Sequence, residues 1–170
     1  MINLVTRNII RFLVLVLFQV LVLNNIYLSG FINPNLYILF ILLLPVNTAP
    51  PTVMLLSFFI GLSVDIFSDT GGMHAAASVF LAFCRPYILK LLSPREGYEY
   101  ITEPAIKQLG FTWFLVYIFM LVLSHHLVLF YVEVFRFSEF FYTFAKVLLS
   151  TVTTVIIIFL VLFLVQRKKE

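Results

Sequence analysis

Between Gly61 and Ala77 the chain reads Gly-Leu-Ser-Val-Asp-Ile-Phe-Ser-Asp-Thr-Gly-Gly-Met-His-Ala-Ala-Ala, and Asp65, Asp69 and His74 within it are the side chains best suited to chemistry. Gly61 and Asp65 are four apart and share one face of a helix. Gly61 would let a neighbouring helix approach closely. Asp65 falls near the end of an apolar run, where the helix dipole disfavours negative charge, so it calls for a partner. Ser68 to Gly72, with Gly71 and Gly72 free to take unusual backbone angles, can reverse the chain and bring His74 to it. Ala75 to Ala77 then allow tight packing of the resulting hairpin. Three readings follow. Asp65 and His74 can hydrogen-bond as a structural fastener, with Asp69 or Thr70 capping the following helix. They can form a functional site for a ligand, ion or partner, as intramembrane ionisable groups often do. A metal held by Asp65, Asp69 and His74 is the third reading, but nothing in the spacing fixes a coordination geometry.

The other polar candidates are weaker. His125 and His126 are adjacent and point about 100° apart on a helix, so they cannot ligate one ion together and read as interfacial residues near Glu133. Asn24, Asn25 and Tyr27 fit an interface belt at the same depth. Arg85 is expected to snorkel to headgroups. Arg95, Glu96, Glu99, Glu103 and Lys107 read as a solvated charge cluster. H-E-x-x-H, G-x-S-x-G and phosphate-binding Gly-Lys loops are all missing, and a membrane aspartyl protease would need a second intramembrane aspartate where only Asp69 remains. The sequence therefore predicts no enzyme, no metal and no cofactor.

The elements that must position these residues are membrane spans. Hydrophobic residues make up 62% of the chain and charged ones 11%, with mean hydropathy +1.10. That composition lies outside the range of soluble domains, and no stretch is polar enough for a second domain, so residues 1–170 read as one transmembrane domain. Arg7 and Arg11 before an apolar run resemble a signal peptide, but no A-x-A-like site follows, and an uncleaved first helix is expected. The lone Cys84 precludes an intrachain disulfide. The expected fold is all-α: a polytopic helical bundle of about six spans. These run from Ile9 to Leu28, Asn35 to Val46 (short, with Pro45), Pro51 to Phe67, Met73 to Cys84, Gln108 to Phe130 and Lys146 to Val165. Gly30, Asn33 and Pro34 turn the chain after the first, and Tyr131 to Tyr142 connects the last two. Pro86 is expected to end or kink the fourth.

An even number of spans places both termini on one side. That side then holds Arg7, Arg11, Arg85, Lys90, Arg95, Lys107, Arg167, Lys168 and Lys169, nine of the eleven Lys and Arg residues, leaving Arg136 and Lys146 opposite. The bias predicts a multi-pass protein of the cytoplasmic membrane with Met1 and Glu170 both cytoplasmic.

The G-L-x-x-D of Gly61, Leu62 and Asp65, the Phe-Ser that follows, and the G-x-H-A of Gly72, His74 and Ala75 resemble the rod shape-determining protein MreD family. The chain's size, basic start and Lys/Arg-rich tail are similar as well. The resemblance covers the whole length in pattern and about 17 residues in motif. It implies a non-enzymatic scaffold of the bacterial cell-elongation complex. The partners it implies are an MreC-like bitopic protein, the actin-like MreB, and the peptidoglycan glycosyltransferase and transpeptidase, alongside the lipid bilayer and no nucleic acid. It also implies a fold similar to the substrate-binding components of energy-coupling-factor transporters. The competing expectation is a substrate- or ion-binding membrane subunit of a transporter, motivated by Asp65 and His74.

Overall fold

Apolar runs of this length form helices because a helix satisfies its own backbone groups where no water can. The computed structural model describes residues 3–26, 31–95, 97–98, 101–134 and 140–167. Met1, Tyr27, Gly30, Glu96, Glu99, Arg136 and the tail from Lys168 to Glu170 lie outside the described residues. The helices are α1 (Leu4–Leu21, extended by a 3-10 turn over Leu23–Asn25), α2 (Leu39–Leu42, preceded by a 3-10 turn over Leu36–Ile38), α3 (Pro50–Ser68), α4 (Met73–Leu91), α5 (Ile106–Leu109), α6 (Phe111–Val134) and α7 (Phe140–Arg167). Among the described residues, four stretches are long and apolar enough to cross a membrane: Leu4–Asn25, Pro50–Ser68, Phe111–Val134 and Phe140–Val165. The expected helical bundle is therefore present.

Local signals explain the boundaries. The Asn3 side chain caps α1 by accepting from the Val5 N–H, and Pro50 and Pro51 open α3, where their missing N–H groups are not needed. At its other end α3 stops on Asp69 in the left-handed conformation, φ 54°, whose N–H donates to the Asp65 carbonyl. Tyr98 and Trp113 donate to the Leu89 and Leu92 carbonyls at the end of α4 (2.7 and 2.6 Å).

Neighbouring helices pack in the order α1, α3, α4, α6, α7. The two ends of that arc, α1 and α7, do not pack along each other; the Leu36–Leu42 segment lies between and touches both sides. Leu36 to Leu42 are all buried, with Tyr37, Ile38, Ile41 and Leu42 fully so. The outward faces of α1, α3 and α7 are lined instead by exposed Leu13, Leu17, Leu55, Phe59, Leu149 and Leu160, among others, a surface matched to lipid rather than water.

Two expectations change here. The Asn35–Val46 segment does not form a spanning helix: it is a 3-10 turn followed by one short α-helix, enclosed by the others. Pro45 and the absence of a long helical run limit its length, and its unbroken apolar sequence suits the centre of the bundle. Pro86 does not end the fourth helix either, since α4 runs unbroken to Leu91. The lost N–H removes one rung, and packing of Ala82, Arg85, Ile88 and Leu89 into the interior carries the helix past it.

Candidate functional site

The α3–α4 hairpin brings the motif residues together. A Cβ on Gly61 would lie 2.6 Å from the Ala75 Cα and the His74 carbonyl oxygen, so the two backbones touch there and only glycine fits. Gly71 and Gly72 take positive φ values of 59° and 94° in the turn, backbone angles costly to a residue with a Cβ. Asp65, buried to 4% exposure, aims its carboxylate at the start of α4. Its oxygens accept from the His74 N–H (3.0 Å), the Ala75 N–H (2.8 Å), His74 Nδ1 (3.0 Å) and the Thr70 hydroxyl.

The expected pairing of Asp65 with His74 is thus present, but the capping differs. Neither Asp69 nor Thr70 caps α4. Its N-cap is Gly72, which has no side chain to offer, and Asp65 reaches across the turn to take the two N–H groups a cap would serve. The negative charge that the end of α3 disfavours is met by the favourable N-terminus of α4. Asp69 stands exposed at the turn. With Asp65 committed to four donors and Asp69 pointing elsewhere in the turn, no group of three His, Cys, Asp or Glu residues able to hold a metal occurs among the described residues.

Sequence reasoning misplaced both the histidine pair and Arg85. His125 and His126 are fully buried, not interfacial. His125 Nε2 meets the Tyr37 hydroxyl at 2.7 Å, and that hydroxyl accepts from Ser78 at 3.3 Å. His126 Nδ1 donates to the Val122 carbonyl (2.8 Å), leaving Nε2 to accept from the Asn35 amide (3.3 Å) and the Thr154 hydroxyl (3.4 Å). Ser150 and Thr154 of α7 accept from the Asn33 and Asn35 backbone N–H groups, each at 3.1 Å. These contacts supply the backbone partners that an irregular segment inside a bundle requires.

Arg85 does not snorkel. It is 2% exposed, and its guanidinium donates to the Leu44 carbonyl, to the Pro45 carbonyl (3.4 Å) and to the Tyr117 hydroxyl (3.0 Å), which itself donates to the Leu42 carbonyl (3.0 Å). The free carbonyls where α2 ends draw the cation inward. Gln19 serves the other end of the segment, accepting from the Leu36 and Tyr37 N–H groups (2.7 and 3.4 Å) while donating to the Pro34 carbonyl (3.0 Å). A lone glutamine in an apolar helix was the available signal for it.

Two cavities flank the buried segment. At the hairpin end a polar cleft of about 530 Å³ is bordered by the end of α1, Asn33 to Asn35, the α3–α4 turn and the end of α6. At the opposite end an apolar groove of about 500 Å³ runs between α1 and α7, floored by Leu39, Leu43 and Phe114. Among the described residues the only charges in it stand at its rim: Glu103 pairs with Arg7 and lies 3.8 Å from Arg11. Arg7 of α1 and Val165 of α7 line this same groove, so both ends of the helical chain meet at one end of the bundle. No family model, curated protein or solved structure matches this chain.

Proposed function

We propose that this chain is a multi-pass protein of the cytoplasmic membrane, with both termini cytoplasmic, and that it acts as a non-enzymatic scaffold for lateral cell-wall synthesis by holding the single span of an MreC-like partner. The apolar groove between α1 and α7 is the observation that carries this reading. Lipid tails compete equally for apolar surface, so affinity between helices in a membrane rests on shape and a few polar contacts. A cleft left between the two ends of the helical arc offers the shape, and the Arg7, Arg11 and Glu103 rim offers the polar contacts. The tight α3–α4 hairpin accounts for the motif residues as packing and capping groups, which fits a scaffold better than a reaction centre.

Co-purification with the MreC-like partner tests the groove. Val14→Trp, on the exposed face of α1 at the groove, is expected to abolish co-purification while leaving the melting temperature of the isolated protein near that of the wild type. Undiminished partner binding by this variant would remove the groove from the interface. Topology is tested separately by replacing Cys84 with Ser and placing a cysteine at position 69. Labelling of intact cells by an impermeant thiol reagent is expected, and labelling only after lysis would overturn the orientation. The polar cleft favours a second reading, a substrate-binding subunit of a transporter.

A further inference from the structure

The polar cleft combines neutral hydrogen-bonding groups, apolar faces and a cation subsite that the protein fills itself. Its volume of about 530 Å³ falls within the ~300 to 1,000 Å³ of small-molecule sites. Asn25, Asn33, Asn35, Ser68, Thr70 and His74 converge on it from three separate stretches of chain. Part of this polarity holds the fold: Asn24 donates to Ser68 (2.8 Å), and Asn25 donates to the Val20 and Leu21 carbonyls (3.1 Å each). The rest is uncommitted. Among the described residues, the Asn33 side chain, the Asn35 Oδ1 and the His74 Nε2 make no hydrogen bond. Phe67, Met73, Leu129 and Phe130 provide apolar faces between these groups.

Charge narrows the occupant. Among the described residues no Lys or Arg lines the cleft itself, so an anion would be desolvated there with no cation nearby except Lys146, which is already paired. Glu133 is its one carboxylate among the described residues, and Lys146 already sits 3.0 Å from it and 4.5 Å above the Phe130 ring. The chain's own ammonium therefore occupies the place where a cationic ligand would gain most. We propose that this cleft binds a neutral, hydroxyl-rich ring of the sugar class, whose hydroxyl edge meets the amides and hydroxyls and whose C–H face meets the apolar side chains. The inference holds whether the chain scaffolds or transports, and it covers both a free sugar and the headgroup of a glycolipid.

The test uses the full chain in phosphatidylcholine nanodiscs, avoiding glycoside detergents, with saturation-transfer NMR on one ring in three charge states: glucose, glucosamine and glucuronate. Glucose is expected to bind, with each charged ring weaker by about fivefold or more, the equivalent of one net hydrogen bond. In a second arm, nanodiscs doped with glucosyl diacylglycerol are read by native mass spectrometry. Retention of that lipid without binding of free glucose assigns the headgroup, and binding of free glucose assigns a soluble sugar; either supports the site. Asn33→Ala, whose backbone bond to Ser150 survives the substitution, is expected to weaken binding by about fivefold while the melting temperature holds. Three results would overturn the proposal: no binding of either probe, charged rings binding as well as glucose, or an unchanged affinity in Asn33→Ala.

Discussion

The two ends of the bundle each bury a charge, and they do so on opposite poles of a helix. At one end Asp65 sets its carboxylate on the first N–H groups of α4; at the other Arg85 sets its guanidinium on the carbonyls where α2 finishes. Each charge complements the partial charge of the helix end it faces. The difference is reach. Asp65 draws its partners from five to ten residues away, whereas those of Arg85 lie 32 to 41 residues away on two other segments. The first is a clasp closed within one hairpin. The second ties α4, α6 and the buried segment into one body, so the same kind of interaction is local at one end and global at the other.

That contrast is broken or sharpened most by Arg85→Met. It leaves the Leu44 and Pro45 carbonyls without their donor, and a loss of about 3 kcal/mol is expected, since hydrogen bonds to charged groups carry about 1.5 to 3 kcal/mol. The check is equilibrium unfolding in mixed micelles, with hydrogen exchange expected to rise together in residues 36–44 and around Tyr117. Arg85→Lys should recover under half of the loss, because one ammonium cannot serve Tyr117 and Leu44 in the same planar geometry.

Asp65→Ala comes next, at about 2 kcal/mol, from stranding two N–H groups and an imidazole. Exchange is expected to rise at His74 and Ala75 and to stay unchanged at residues 36–44. A rise in both places would show that the hairpin is no local clasp. Gly61→Ala follows at about 1.5 kcal/mol, an overpacking penalty, read as a lower melting temperature and a wider α3–α4 spacing by spin-label distances. The smallest change is Asp69→Gly, which relieves a left-handed side-chain residue and should raise stability by about 0.5 kcal/mol. Asp69→Ala should in turn cost less than Asp65→Ala, as the exposed turn has water to replace lost contacts.

The same contrast decides what the sequence discloses. Gly61, Asp65, Gly71, Gly72 and His74 were readable because their partners lie within one turn of chain, where helical spacing and turn chemistry apply. The cap on α4 was misassigned to Asp69 or Thr70 because both sit nearer to the helix start, yet the positive φ at Asp69 turns it outward and leaves Asp65 facing the N–H groups. Arg85, His125 and His126 were read by the ordinary habit of polar residues to seek the interface. Their true partners belong to Tyr37, Leu44 and Asn35 on a segment whose own irregular backbone is not encoded in any period. Gln19 belongs to the same class, since nothing near it in sequence announces the N–H groups of Leu36 and Tyr37.

The buried segment also sets an order of events during synthesis. Leu36 to Leu42 is too short to enter a bilayer as an independent helix of about 20 residues, and the partners Ser150, Thr154, His126 and His125 that fix Asn33, Asn35 and Tyr37 are 88 to 119 residues downstream. When the ribosome has delivered this stretch, only Gln19 and Arg11 of α1 are there to hold it, and its other partners do not yet exist. Its full set of contacts can close only when α6 and α7 arrive. Such late closure of distant contacts is slow and leaves an apolar intermediate exposed. Membrane insertases and quality-control proteases would meet this protein chiefly in that interval.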